Sequence, residues 1–423
     1  ALIKEYGKEV GRQCREMGIH INFAPDMDVN SNVDNPVIGL RSFGENPEAV
    51  SEKGIAYARG LENTGILSVS KHFPGHGDTS EDSHETLPVV RHNRARLDSV
   101  ELLPFKRYIY DGFGGIMTGH LYVPALDKSH KPASFSKAVV KALLAGNDIL
   151  LAPAAPINDF KAVKEAIEEG VLDLEAIEAK CLKILRYKYI AGLNAYKPVE
   201  TKGLSKRLNS PHAAWMAAKL NSEAITVLKN EDTILPLKQL NKKKIAALSI
   251  GDGVGNEFQK MLGEYDSIAC FSIGRRSTAA QVQQVYNKLQ KYDVIICGVH
   301  TIRIPESLAL RQLAAKKELV YAFFTLPYAC KEYKKSIEKA KAVVLAYEGT
   351  PLAQEYAAQV IFGGIAAKGK LPVSIPGLYY AGTGVFTEKT RLGYHQPEEV
   401  GANPDRLDVI ESIVKEGLDE KAY

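Results

Sequence analysis

Short apolar runs alternate with amphipathic stretches along the first 196 residues of the chain. Apolar side chains that recur every three to four positions predict helices; these stretches are residues 2–17, 47–64, 97–110, 160–170 and 173–190. Short, mostly apolar runs predict strands; these are residues 19–29, 66–71, 115–118 and 148–151. The alternation over residues 1–196 predicts a parallel sheet with crossover helices. In a (β/α)₈ barrel, the active site lies at the carboxyl ends of such strands.

A second alternation begins after a predicted connector at residues 197–220. Apolar runs rich in β-branched residues predict further strands, at residues 245–250, 294–299, 319–325 and 343–347. Helices are predicted at residues 278–290 and 353–362. Because the strand runs are apolar on both faces, they predict a smaller doubly wound α/β domain over residues 221–395. Residues 396–423 mix acidic and basic side chains and are expected to begin a further segment or domain.

Composition and charge narrow the class of protein. The chain has 423 residues, of which 45% are hydrophobic and 25% charged, so a folded protein of two or three domains is expected. With 54 basic and 50 acidic residues the net charge is only +4, which argues against a nucleic-acid partner or an anionic membrane surface. No stretch reaches the roughly 20 apolar residues of a membrane span.

The cysteines predict neither a disulfide framework nor a zinc site. They are few, odd in number and mostly in apolar surroundings, which favours buried thiols. The five positions are Cys14, Cys181, Cys270, Cys297 and Cys330.

The segment richest in candidate chemistry, KHFPGHGDTSEDSHETLP at residues 71–88, follows a predicted strand. It holds three of the ten histidines of the chain, which argues against an incidental polar loop. His72 and His76 have the spacing of a helical zinc pair, but Pro74 and Gly75 break any helix between them. We therefore predict no metal site.

The same segment predicts an acid–base pair. Asp82 and His84 are two residues apart, on one side of an extended stretch. A carboxylate that accepts a hydrogen bond from an imidazole fixes its tautomer and raises its pKa. His84 would then be a positioned proton donor near neutral pH.

Several segments, taken in chain order, point to one family. They are INFAPDMDVNSNVDNPVIGLRSFGENP (residues 21–47), KHFPGHGDT followed by DSH (71–84), MTGH (117–120), PASFS (132–136), LLAGNDILL (143–151), SEAITVLKNEDTILPL (222–237) and FGGIAAKGKLPVSIP (362–376). Together they resemble glycoside hydrolase family 3, in particular its β-N-acetylglucosaminidase branch. The resemblance implies a TIM-type (β/α)₈ barrel, incomplete in this sequence, followed by a smaller α/β sandwich domain.

The resemblance also implies a reaction and a set of residues. It implies a retaining enzyme that removes terminal β-linked N-acetylglucosamine from cell-wall muropeptides or related glycosides, without metal or cofactor. Asp82 and His84 match the acid/base dyad of that branch. The positions expected to hold the terminal sugar are Asp26, Arg41, Lys71 and His72. With such a substrate, a secreted or periplasmic location is expected.

Part of the family pattern has no counterpart in the sequence. The family nucleophile is an aspartate between the segments matched here by PASFS and AGND. Residues 134–148 are too few for the strand, loop and helix that would carry it. The first barrel strands are also missing from the pattern. We expect that a segment is missing near Val140–Lys141, with the nucleophile inside it.

Three alternatives follow from the same residues. A genuine deletion at that point would leave a non-catalytic sugar-binding protein or sensor. Phosphorolysis is a variant of the reaction, because a deprotonated histidine carries no negative charge to repel phosphate. The tail from residue 391 resembles the linker of family members fused to a serine β-lactamase-like domain, so a longer parent chain is expected.

Overall fold

The computed structural model describes residues 1–80, 87–126, 138–151 and 156–422. The chain divides into two compact units, Ala1–Leu208 and Asn209–Tyr423. Among the described residues, no helix combines the length and the hydropathy needed to cross a membrane.

The first unit contains a parallel sheet with the strand order β1-β2-β3. Its strands are β1 (Ile21–Asn22), β2 (Leu67–Phe73) and β3 (Gly115–Thr118). Its helices are α1 (Leu2–Glu16), α2 (Pro47–Glu62), α3 (Arg94–Ser99), α4 (Leu103–Tyr110), α5 (Ala138–Leu144), α6 (Pro156–Glu168), α7 (Leu174–Ile190) and α8 (Leu204–Leu208).

Helices α1 and α2 pack backbone to backbone against each other. A Cβ atom at Gly7 would lie 2.3 Å from the carbonyl oxygen of Tyr57, and one at Gly60 would lie 2.2 Å from that of Lys4. Glycine is therefore required at both crossing points. Helix α2 begins at a side-chain cap, because Asn46 accepts a hydrogen bond from the Ala49 amide at 3.0 Å. This packing fixes the position of the loop between β1 and α2.

The second unit is built on a six-stranded sheet with the order β4-β9-β8-β7-β5-β6. Only its edge strand β4 runs antiparallel, against β9. The strands are β4 (Thr226–Asn230), β5 (Ile245–Ile250), β6 (Ala269–Ile273), β7 (Val294–Val299), β8 (Glu318–Phe323) and β9 (Ala342–Leu345). The helices are α9 (Pro211–Ala224), α10 (Glu257–Gly263), α11 (Ala279–Leu289), α12 (Leu308–Lys316), α13 (Lys334–Ile337), α14 (Pro351–Phe362) and α15 (Pro404–Asp419).

Both faces of this sheet are covered. Neighbouring residues of a strand point to opposite faces, so Ala247 packs in the apolar layer with Phe258 and Ile361, whereas Leu248 packs in the other layer with Leu289 and Leu313. The result is three layers, with the sheet between two sets of helices. The predicted α/β class is confirmed, while the finer assignment to a sandwich domain stays a prediction.

Several predicted elements differ from the structure. The predicted strand at 148–151 is wrong, because these residues are not in a strand. The predicted helix at 97–110 is divided into α3 and α4, and the long predicted strand at 19–29 contributes only β1. The predicted connector at 197–220 contains α8 and most of α9. Strands β4 and β6 were not among the predicted strands.

Two further predictions meet the structure at single residues. Cys14, Cys297 and Cys330 are buried as expected, whereas Cys181 is exposed. Helix α5 runs through Val140 and Lys141, the point at which a segment is expected to be missing. That expectation stays a prediction.

Candidate active site

A buried carboxylate organises the carboxyl end of strand β2. Asp28 follows β1 and is fully buried. Its Oδ2 atom lies 2.7 Å from Nδ1 of His72, and its carboxylate also accepts from the His72 backbone amide at 3.2 Å. The backbone amide of His76 donates to Asp28 Oδ1 at 2.6 Å. One side chain therefore fixes both ends of the turn from His72 to His76.

The second carboxylate at this end of the sheet belongs to Asp26. Its backbone pairs with that of Lys71 in a parallel bridge, which places the end of the β1 segment beside the end of β2. Asp26 Oδ1 accepts from the Asp28 amide at 3.2 Å. Its side chain is only 7% exposed.

Arg41 reaches the same place from the loop between β1 and α2. Its Nη2 atom lies 3.5 Å from Oδ2 of Asp26 and 3.3 Å from Nε2 of His72. The loop is tied to the turn after β2, because the side chain of Asn35 donates to the His76 carbonyl at 2.7 Å. The Arg41 side chain is 41% exposed, so its positive charge lies between solvent and the buried carboxylates of Asp26 and Asp28.

The buried carboxylates have raised pKa values. Burial, and then the neighbouring Asp28 carboxylate, raise the pKa of Asp26 to about 7. Burial also raises the pKa of Asp28 to about 6, although the His76 amide hydrogen bond opposes the increase. Asp26 is therefore the member of the pair that holds a proton more readily, and Asp28 is the member that ionises.

The Lys71 ammonium group adds a second cation. Burial lowers its pKa, as does the charge of Arg41, whereas Asp26 and Asp28 oppose the decrease. The site thus combines two strong donors with carboxylate and imidazole acceptors. Such a mixture suits a ligand rich in hydroxyl groups, which both donate and accept hydrogen bonds.

The acidic pair and His72 also meet the distance requirement of a metal site. One ligand atom from each of Asp26, Asp28 and His72 lies within 4.8 Å of the others. Arg41, however, contacts both Asp26 and His72, and its fixed positive charge would oppose a cation there. The donor set fits a polar organic ligand better than a metal ion.

A second aspartate–histidine pair lies farther along the same loop. Asp78 Oδ2 is 2.5 Å from Nε2 of His92, and both side chains are partly exposed. Asp78 also accepts from the Ser31 hydroxyl at 3.1 Å. The pair links the loops after β1 and β2, and its partners differ from those of Asp28.

The structure brings together the four residues predicted to hold the sugar: Asp26, Arg41, Lys71 and His72. The predicted acid–base pair, Asp82 and His84, lies outside the described residues, so its geometry stays a prediction. Sequence reasoning missed Asp28. The feature of the sequence that could have identified Asp28 is its position between two apolar residues, Met27 and Val29. The structure shows that both are buried.

Comparisons with known proteins relate the first unit to sugar-cleaving enzymes. Residues 1–144 match the Glycosyl hydrolase family 3 N terminal domain. Beta-hexosaminidase A of Pseudoalteromonas piscicida is 34% identical over an alignment of 287 positions that covers 54% of this chain and 47% of that protein. Beta-hexosaminidase LpqI of Mycobacterium tuberculosis is 44% identical over 147 residues, which are 34% of this chain and 37% of that protein. The chain thus spans about half, or less, of these curated relatives.

Solved structures extend the similarity to both units. A glycoside hydrolase family 3 β-N-acetylglucosaminidase from Paenibacillus matches with a TM-score of 0.69 and 26% identity, over 88% of this chain and 80% of that one. A structure described as a β-glucoside phosphorylase matches with a TM-score of 0.73, but at 21% identity it shows the fold alone. These similarities are to glycoside hydrolases of family 3. The two curated relatives are both β-hexosaminidases.

Proposed function

We propose that this chain is a retaining exo-β-N-acetylglucosaminidase that acts on cell-wall muropeptides or related N-acetylglucosamine glycosides. One observation carries the proposal: Arg41 contacts both Asp26 and His72 at the carboxyl end of β2, and the backbone of Asp26 pairs with that of Lys71. This end of the sheet belongs to the part of the chain that matches the family 3 domain. The similarity to β-hexosaminidases supports the choice of sugar.

The sugar-binding role follows from the charge arrangement. The Arg41 guanidinium is partly exposed and can donate two parallel hydrogen bonds to neighbouring hydroxyl groups. Asp26 is buried behind it and limits the orientations that the guanidinium can adopt. Lys71 and His72 complete a set of groups on one side of a terminal sugar.

The chemistry requires a proton donor and a nucleophile. In the proposed mechanism, His84 protonates the leaving oxygen while Asp82 stabilises the resulting imidazole tautomer. An aspartate of the segment expected to be missing near Val140–Lys141 attacks the anomeric carbon and forms a glycosyl-enzyme. Water then attacks this intermediate, with His84 as the base. The scheme departs from the usual pair of carboxylates in that histidine replaces the acid/base carboxylate.

A non-catalytic sugar-binding protein is the second candidate. Within the described residues, α5 continues without a break through Val140 and Lys141, where the nucleophile-bearing segment is expected. The sugar-binding residues would be the same in both candidates. Only the reaction would differ, so hydrolysis and binding must be measured on the same preparation.

The decisive experiment measures how His84→Ala changes the rate of hydrolysis of two different substrates. We expect hydrolysis of a disaccharide with a poor leaving group to fall by roughly 10²–10⁴-fold, because it needs a general acid. Hydrolysis of an activated aryl N-acetylglucosaminide should fall far less. His92→Ala, which removes another imidazole of the same unit, should leave both rates unchanged.

Other results of this experiment would contradict the proposal or identify a different function. Equal losses on both substrates would contradict the acid role of His84. Binding of N-acetylglucosamine by calorimetry without hydrolysis would establish the sugar-binding candidate. The absence of both binding and hydrolysis would contradict both candidate functions. A sugar 1-phosphate product in phosphate buffer would identify phosphorolysis.

A further inference from the structure

We infer that Asp28 is a positioning residue that holds His72 as the Nδ1–H tautomer, so that Nε2 is a hydrogen-bond acceptor in the site. The tautomer follows from contacts within the first unit. Its consequence for sugar binding rests on the proposed function. Asp28 was not among the residues predicted to take part, and its side chain is fully buried.

The first half of the argument is the contact between Asp28 and the ring. Asp28 Oδ2 lies 2.7 Å from Nδ1 of His72. Asp28 already accepts hydrogen bonds from the backbone amides of His72 and His76, which stabilise its ionised form. An ionised carboxylate can only accept, so Nδ1 of His72 must carry the proton.

The second half comes from the opposite edge of the ring. Nε2 of His72 lies 3.3 Å from Nη2 of Arg41. A guanidinium group can only donate, so Nε2 must offer a lone pair. A proton on Nε2 would face an N–H of Arg41 and repel it. The two contacts lie on different nitrogens, come from two different side chains of the segment between β1 and α2, and assign the same neutral tautomer.

The assignment has a consequence for recognition. A sugar hydroxyl that takes the place of the Arg41 contact at Nε2 would donate to this lone pair and accept from an N–H of the guanidinium. Such a hydroxyl uses both of its hydrogen-bonding functions, which strengthens each bond. A methyl ether at the same position has no hydrogen to donate. The site should therefore discriminate between a free hydroxyl and its O-methyl derivative.

Nitrogen NMR of the full chain labelled with ¹⁵N-histidine tests the tautomer directly. In the wild-type protein we expect a protonated Nδ1 and a bare Nε2 for His72, assigned by the signal that His72→Gln removes. Asp28→Asn keeps one oxygen for the backbone amides but turns N–H groups toward Nδ1. His72 should then carry its proton on Nε2. Asp78→Asn is the matched control, because it should alter His92 and leave His72 unchanged.

Binding of N-acetylglucosamine by calorimetry tests the consequence. We expect Asp28→Asn to weaken binding about tenfold or more, because the acceptor for the hydroxyl is lost. The O-methyl derivatives should show which hydroxyl is involved: one of them should bind weakly to the wild type and lose little more in the variant.

The possible failures are distinguishable. Protonation of Nε2 in the wild-type spectrum would overturn the inference, even if Asp28→Asn does not fold. So would an unchanged His72 tautomer in a folded Asp28→Asn. If the wild type shows the expected tautomer but binds no N-acetylglucosamine, the proposed function fails while the role of Asp28 in holding His72 stands.

Discussion

The sheets of the two units differ in what occupies the ends of their strands. Strands β5 and β7 of the second unit are buried at every position. Strand β2 of the first unit is buried in its middle but only half-buried from Lys71 onward, where its side chains meet Asp28 and Arg41. The end of β2 thus exchanges apolar burial for polar contacts. If the proposed function holds, stability and sugar recognition are concentrated in different sheets.

The helices show the same difference. Helix α14 of the second unit buries nine of its residues, whereas none of the α7 residues in the first unit is buried. Helix α7 nevertheless carries large apolar side chains, including Leu182 and Leu185. Its helical periodicity is intact, so the difference lies in packing and not in local preference.

The largest expected effect is on the free energy of unfolding. It compares the same substitution, leucine to alanine, made once in each unit. Leu319 in β8 is fully buried, and Leu319→Ala should lower the free energy of unfolding by about 2–5 kcal/mol. Leu185 in α7 is 58% exposed, and Leu185→Ala should change the free energy of unfolding by less than about 0.5 kcal/mol. Urea unfolding measures both effects, by circular dichroism for the whole chain and by fluorescence of Trp215, the single tryptophan, for the second unit.

The result bears directly on the comparison. Similar losses for the two variants would mean that α7 packs as tightly as β8, and the contrast between the units would be wrong. Leu319→Met, which conserves volume, is the control and should cost less than about 1.5 kcal/mol.

The second effect is an opposite pH dependence of the two units. The pKa of Asp26 is raised to about 7 from about 3.9 in the unfolded chain, so the folded first unit binds more protons and loses stability as the pH rises between these values. In the second unit, burial lowers the pKa of His300 to about 4 from about 6.5. Here the unfolded chain binds more protons, so stability falls as the pH falls.

Hydrogen exchange measures this difference within one molecule. Between pH 7 and pH 5, after correction for the intrinsic rates, we expect amides of β2 to gain up to about 2–4 kcal/mol of protection and amides of β7 to lose about 1–3 kcal/mol. Asp26→Asn should remove the larger part of the first change and leave the smaller part that comes from Asp28, whereas His300→Gln should remove the second. Parallel changes in both units would contradict the assignment of these two groups.

The parts of the fold that could be predicted are those whose environment is uniform. Strands β5 and β7 were predicted with the observed bounds, because burial on both faces requires an unbroken apolar run. Strand β4 was missed because it is a short edge strand that ends in polar residues and pairs antiparallel. Residues 148–151 have the apolar character of a strand but pair with no strand in the part of the chain that the structure describes. Pairing is a tertiary property that a local pattern does not contain.

The candidate site was predictable where side chains face a ligand and less so where they face one another. Arg41, Lys71 and His72 stand out as charged or titratable residues after strands. Asp28 is also a titratable residue that follows a strand, but its proposed role depends on three donors at the end of β2 and in the turn after it, more than 40 residues away in sequence. No local spacing reveals that convergence.

The smallest expected effect on stability, with a clear effect on binding, belongs to Arg41. Its ion pair with Asp26 is long and its side chain partly exposed, so Arg41→Lys should change the free energy of unfolding by less than about 1 kcal/mol. Binding of N-acetylglucosamine should nevertheless weaken about tenfold, because lysine lacks the planar pair of donors. Arg59→Lys is the matched control. Arg59 forms an ion pair with Asp111, at 2.8 Å, and neither residue belongs to the candidate site. If Arg59→Lys weakened binding as much, or if Arg41→Lys did not weaken it, the polar end of β2 would not be where the sugar binds.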